Sequence, residues 1–409
     1  MSTTTSSPPA PGWFSRISGR LVRQPVAQAA AAPAVRQEAV QERRFPTLAI
    51  LAGALRTPHG ASVEALGAAL AANKVDADLD RDLVDNNGLP VMSARCEQAI
   101  DEPVREEIAD WLAAHATPEP RLTDEQWRAL VLGTAVLREL AGHAAASLRQ
   151  HDGAAPMLQL ALLLPDAWQR EQRQAASMWW TQVLVQSGWP MAQIAVVTPE
   201  SPAAFIARFA QEAAASTAPV AILLACASHI GQETVDRWSA NGTLFTSLHP
   251  RGRIPGEGAA GLLLAPGLDG AGRVQMNLEV EARDPELASQ KRLPPGQLNT
   301  LAERLLHGAA VAPADIAMIV ADTGPDTRQV LELMEFGSAS APHLDNASDI
   351  VRLGPACGAC GAVPFVAALA VAAHAALEHA APLLCVGNDD PALRVVALVR
   401  PVPPEQAGS

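Results

Sequence analysis

Uninterrupted apolar runs and stretches of helical period alternate along most of this 409-residue chain. The runs at 157–164 and 220–225 carry almost no polar alternation, as strands buried on both faces require. From Arg253 to Leu264 a glycine-proline turn holding one carboxylate, Glu257, leads through small residues into a leucine run, a tight turn feeding a third such strand. It reads with 220–225 as two central strands of one sheet, joined by a helix and a loop over 232–251. Upstream, a strand at 48–52 closes on a turn at 56–60, where His59 reads as a turn residue, and an alanine-rich helix spans 63–73. The segment 75–120 is polar and loop-like. Thr123 with Gln126 three positions on is a capping-box signal opening an amphipathic helix that runs to 148. A helix over 171–187, a strand at 193–197 and a helix over 201–216 follow. This alternation implies a mostly parallel sheet with helices on both faces.

Beyond Leu264 the outline repeats: strand 274–282, helix 298–308, strand 316–321, helix 327–336, helix 364–379, then strands 383–386 and 393–399. Two halves, 45–265 and 266–400, are flanked by tails at 1–44 and 401–409. The first tail is rich in Ser, Thr, Pro, Ala and Gln and cannot build a core, so it is expected to be disordered, as is the second. One island in it, Trp13, Ile17 and Leu21, aligns on a helical face beside Arg16, Arg20 and Arg23. It reads as a sticky piece of tail, as a docking helix for a partner or an anionic membrane, or as part of an organellar transit peptide.

Composition narrows the function. Apolar residues make up 49% of the chain, much of it alanine, which favours close helix packing. Tyrosine is absent and lysine stands only at 74 and 291, the bias of a GC-rich bacterial genome. The net charge is −13 and no basic stripe appears, which argues against nucleic acid and gives no help in docking an acidic carrier protein. Five cysteines (96, 226, 357, 360 and 385) in apolar or glycine-rich surroundings read as reduced thiols of a cytoplasmic protein. No apolar run reaches the ~18 residues that span a bilayer.

Two stretches carry a family resemblance. ACAS at 225–228, a helix, LFT at 244–246 and RIPGEGAAGLLL at 253–264 together resemble the β-ketoacyl synthase branch of the thiolase superfamily, and GPACGACGA at 354–362 is similar to that family's "GHxxGAxGA" turn. The resemblance, over roughly 45–400, implies a layered αβαβα fold of two duplicated halves and dimerisation with a like or related subunit. It also implies a cysteine nucleophile at a helix N-terminus and two histidines. The nucleophile's place falls at 197–201, where Glu200 or Ser201 stands; Asp322 stands for the first histidine and Pro355 for the second. A carboxylate cannot form a useful thioester, and proline has no proton to give.

Other residues offer alternatives. Cys226 with His229 three residues on is a candidate pair, against the plainer reading of a small buried thiol and a helix-start histidine. Cys357 and Cys360 form a CxxC without the further ligands zinc wants, and read as the small residues of a glycine-rich turn. Ser201 reads as a helix N-cap, and Glu257 as a carboxylate bonded to backbone N–H groups. The expected function is a catalytically inactive ketosynthase-fold scaffold or non-catalytic subunit of a bacterial complex, a homodimer or heterodimer, with no cofactor or metal. The alternatives are an active acyltransferase or β-ketoacyl synthase with a relocated nucleophile, and an acyl-thioester-binding protein.

Overall fold

A computed structural model describes residues 46–402 except 73, 75–76, 117–119, 149–155, 216–219, 268–273, 284–285 and 287–291. Expectations for residues 1–44, with Trp13, Ile17 and Leu21, and for 403–409 lie outside the described residues. The chain runs β1 (Leu48–Arg56), α1 (Val63–Ala71), β2 (Asp78–Val84), β3 (Pro90–Ser93), α2 (Glu102–His115), α3 (Asp124–Leu148), β4 (Leu158–Leu163), α4 (Arg170–Gln186), β5 (Ile194–Val197), α5 (Pro202–Ala215), β6 (Val220–Ser228), α6 (Gln232–Ala240) and β7 (Glu257–Pro266). It continues β8 (Val274–Ala282), α7 (Gly296–Gly308), β9 (Ile319–Ala321), α8 (Thr327–Ser340), β10 (Ile350–Arg352), α9 (Gly354–Cys357), α10 (Val363–His379), β11 (Leu383–Gly387) and β12 (Leu393–Pro401).

The sheet order displays a duplication. One set of five strands lies in the order β1-β7-β6-β4-β5 and the other in the order β8-β12-β11-β9-β10. Directions match position by position: β1/β7 and β7/β6 are antiparallel while β6/β4 and β4/β5 are parallel. In the same way β8/β12 and β12/β11 are antiparallel, and β11/β9 and β9/β10 parallel. The two sets meet where β1 pairs antiparallel with β8, Leu48 facing Met276.

Strand alternation sorts the core into layers. On β6, Ala221, Leu223, Ala225 and Ala227 face an inner cluster shared with α5 and α10, whereas Val220, Ile222, Leu224 and Cys226 face an outer cluster under α3 and α4. Both faces are therefore buried, which is why the run shows no alternation in its sequence. Helices α7 and α8 cover the outer face of the second set. Helix α10 touches β1, β6 and β7 as well as β9, β11 and β12, so it lies between the two sets as the central layer. Its alanines make that possible: a Cβ on Gly53 of β1 would stand 2.9 Å from the Ala370 Cβ. This is the layered αβαβα arrangement of two duplicated halves.

The capping box before α3 is present, with Thr123 N–H donating to Gln126 Oε1 (2.9 Å) and Gln126 N–H to Thr123 Oγ1 (3.3 Å). The expectation of a loop over 75–120 is corrected, because this segment holds the β2/β3 hairpin and α2. Helix α2 buries only Ile108 and Leu112, too narrow an apolar stripe to read among Glu102, Pro103, Glu106 and Glu107. The hairpin is held by Asp80 accepting from Ser93 Oγ and from Arg95 Nε (2.7 Å), and by Leu83 and Val91 packed with Val235 and Trp238 of α6, two apolar positions too few to announce strands.

Candidate functional site

Strands β4, β5, β6, β9 and β11 end around one cavity of about 680 Å³, toward which the N-termini of α5 and α10 also run. Carboxyl ends of parallel strands are where open α/β sheets place their ligands. The cavity brings together Glu200, Ser201, Cys226, His229 and Asp322 from three separate parts of the chain. Pro355 is not among its lining residues; it sits in the first turn of α9.

Ser201 precedes α5, and its Oγ accepts from the Ala204 N–H (3.1 Å), so the hydroxyl caps the helix as expected of an N-cap. No base contacts it among the described residues. Glu200, one residue earlier, is exposed at the cavity. The Cys226 thiol points the other way, because it belongs to the outer cluster and a Cβ on Gly133 of α3 would meet its sulfur at 3.3 Å. Burial pushes that thiol far above its ordinary range. The candidate pairing of Cys226 with His229 therefore does not form. Its physical reason is strand alternation: position 226 faces α3, while His229 lies past the strand end at the cavity.

His229 is held by both glycine-rich turns at once. Its backbone N–H donates to Gly256 O (3.0 Å), and its Nδ1 lies 2.6 Å from Ala359 O. A carbonyl only accepts, so Nδ1 carries the proton and Nε2 keeps a lone pair. Burial lowers the pKa of the ring, with Arg237 and Arg253 adding to the effect, so the imidazole is neutral at pH 7. The two turns touch through backbone: Ala359 N–H donates to Ile254 O (2.8 Å), and a Cβ on Gly256 would meet Cys357 O at 2.3 Å. Cys357 and Cys360 are both buried in this contact, where only small side chains fit. Among the described residues no group of three or more His, Cys, Asp or Glu converges to hold a metal ion.

Glu257 is fully buried at the start of β7. It was expected to bond to backbone N–H groups, and only one does, Cys96 N–H at 2.8 Å. Its main partners are side chains: Arg128 of α3 through Nε (2.8 Å) and Nη2 (2.5 Å), and the Ser228 hydroxyl (2.9 Å). That correction has a tertiary cause, since Arg128 lies 129 residues away in the chain. Glu257 thus anchors the end of β6 that delivers His229.

Asp322 follows β9 and is nine-tenths buried. Its Oδ1 accepts from the backbone N–H groups of Asn388 (2.9 Å) and Asp389 (3.1 Å). Both of these hydrogen bonds go to the same oxygen, and the residue lines the cavity. Burial, then the charges of Asp389 and Asp390, push the carboxyl up to about 7. Asn388 is itself fixed, its Oδ1 accepting from Thr323 (2.5 Å) and its Nδ2 donating to Glu332 (3.3 Å). Asp389, Asp390 and Arg253 also line the cavity and carry no assignment from the sequence. The available signal was a polar turn, Asn388 to Asp390, closing a fully buried strand.

A stability test follows from the sign of the Asp322 shift. An unfolded aspartate titrates near 3.9, so between about pH 4 and 7 the folded chain keeps a proton that the unfolded chain has lost. Stability contributed by this group falls as pH rises through that window. Asp322→Asn, neutral throughout, is expected to raise the unfolding free energy at pH 8 by on the order of 2 kcal/mol and to change it little at pH 4. Urea denaturation at the two pH values reads this, and an unchanged or lower midpoint at pH 8 contradicts it.

Three solved structures show the fold. The ketosynthase from module 6 of the bacillaene synthase of Bacillus subtilis 168 matches with a TM-score of 0.61 at 11% identity, over 88% of this chain and 72% of that one. The module 1 ketosynthase of the Bacillus amyloliquefaciens FZB42 bacillaene synthase matches with a TM-score of 0.62 at 11% identity, over 88% and 74%. The ishigamide ketosynthase/chain length factor matches with a TM-score of 0.54 at 14% identity, over 87% of this chain and all of that one. This chain is similar to each in fold, the thiolase-like ketosynthase fold. No family model and no curated protein matches it.

Proposed function

We propose that this chain is a ketosynthase-fold subunit that performs no condensation and serves as a scaffold or as the non-catalytic member of a complex. The observation that carries the reading is the N-terminus of α5, where Glu200 and a helix-capping Ser201 stand at the cavity and no thiol is presented. Asp322 and Pro355 in the two histidine positions support it, because neither supplies the neutral imidazole donor that an enolate needs. A homodimer or a heterodimer with a related subunit fits the half-buried sheet edge, where among the described residues β5 pairs with β4 alone. Likeness to a ketosynthase/chain length factor along that structure's whole length supports the heterodimer.

A second reading, an acyl-thioester-binding protein, draws on the retained 680 Å³ cavity with its apolar walls. Among the described residues no helix is long and apolar enough to cross a membrane. Incubation with acetyl and malonyl thioesters followed by intact mass measurement is expected to show no acyl adduct. A stoichiometric adduct on Ser201 or on any cysteine would establish instead an active acyltransferase with a relocated nucleophile.

A further inference from the structure

We propose that the cavity at the strand ends binds an organic ammonium ion, an apolar chain ending in a protonated amine, with Asp322 as the group that receives the charge. This goes beyond the non-condensing reading and does not rest on it.

The charge around the cavity sets the class of ligand. Asp166, Glu200, Asp322, Asp389 and Asp390 line it. The opposing guanidiniums are Arg173, tied to Pro165 O (2.8 Å) and Trp168 O (3.0 Å) and 3.8 Å from Asp166, and Arg253 beside Asp389. Among the described residues the acids left without a counter-charge are therefore Glu200, Asp322 and Asp390. With His229 neutral, the walls carry more negative than positive charge, which opposes anions such as phosphates and carboxylates. The same lining includes the apolar Leu164, Pro199, Ala203, Phe365 and Val395. A lining that combines acids with apolar side chains fits an amphiphilic cation.

One carboxyl is built to receive it. Asp322 is nine-tenths buried, lines the cavity, and takes both of its backbone N–H donors on one oxygen, so those bonds leave the other oxygen to a ligand. A buried carboxylate lacking a counter-charge holds a proton or takes a cation. Asp389, anchored by the Gly324 N–H (3.2 Å), adds a second carboxyl beside it.

The groups facing Asp322 determine how binding varies with pH. They are Asp389 and Asp390 from the turn after β11, and Cys385 on β11, whose thiol burial keeps protonated. Arg253 faces Asp389 from one neighbouring turn, and His229, whose pKa burial lowers, lines the cavity from the other. An alkylammonium with a lysine-like pKa of roughly 10.4 stays charged throughout. At pH 6 it must displace a proton from Asp322; at pH 8 it meets a carboxylate. Affinity should therefore rise about tenfold from pH 6 to pH 8.

Calorimetric titration of the full chain with n-hexylammonium chloride tests this, with 1-hexanol and hexanoate as neutral and anionic controls. Expected are binding of the ammonium alone, about tenfold tighter at pH 8, and a loss of at least about tenfold in Asp322→Asn. Thermal unfolding verifies that this variant is folded, and Asp389→Asn, expected to weaken binding in the same direction, stands as the second variant. No binding at millimolar ligand, equal binding of 1-hexanol, affinity falling from pH 6 to pH 8, or full affinity in both variants overturns the proposal. An acyl adduct in the mass experiment would leave it standing.

Discussion

Replacing Glu257 by alanine is expected to lower the unfolding free energy by about 3–5 kcal/mol, the range for removing one partner of a buried ion pair. The carboxylate is completely buried and takes two hydrogen bonds from Arg128, one from the Cys96 N–H and one from the Ser228 hydroxyl. Its removal leaves a buried guanidinium without a counter-charge and two further donors without an acceptor. Denaturant unfolding with an unchanged m-value measures the loss, and a shift below about 1 kcal/mol contradicts the assignment. The pair as such adds little net stability, because burying both charges opposes their attraction. Replacing Arg128 and Glu257 together by methionine and leucine should therefore recover much of what the single change loses, a non-additivity expected of groups in contact.

A loss of about 5 kcal/mol is expected from Glu332→Ala in the second half of the molecule, where one removal strands two charges. Glu332 is fully buried on α8 and accepts from Arg283 Nη1 (3.1 Å) and Arg394 Nε (2.9 Å), with both guanidiniums nearly as buried as it is. Arg394 keeps bonds to Asp390 O (2.7 Å) and Leu393 O, which soften its share of the cost. Among the described residues the Arg283 Nε has no partner even in the intact protein, so nothing softens its share. The change also reaches the cavity. Asn388 joins Glu332 to Asp322, so a looser Asn388 weakens the N–H groups that anchor the acid and raises its pKa further. A carboxyl-resolved NMR titration of Asp322 reads that second effect, and an unmoved midpoint in a folded variant would uncouple the two sites.

The sequence by itself determined the features that depend on near neighbours and on strand period. Nearly all-apolar runs at β4, β6 and β7 announced strands buried on both faces, because no side of such a strand can meet water. Thr123 with Gln126, and Ser201 before α5, announced helix starts, since a cap bonds to N–H groups two or three residues on. The two glycine-rich stretches read as tight, small-residue turns; that they approach each other is seen only in the fold. Tertiary structure alone decided which distant groups meet. Arg128 reaches Glu257 across 129 positions, and Asn388 and Asp389 reach Asp322 across 66 and 67. Nothing local encodes those meetings, because they follow from strand order and from which helix covers which face. The same holds for Cys226: its alternation placed it opposite Ala227, and only the position of α3 and α5 settled that the cavity lies on the other side. Helix α2 and the β2/β3 hairpin were hidden for a related reason, since a two-residue apolar stripe and a set of polar contacts hold their shape only against partners already folded.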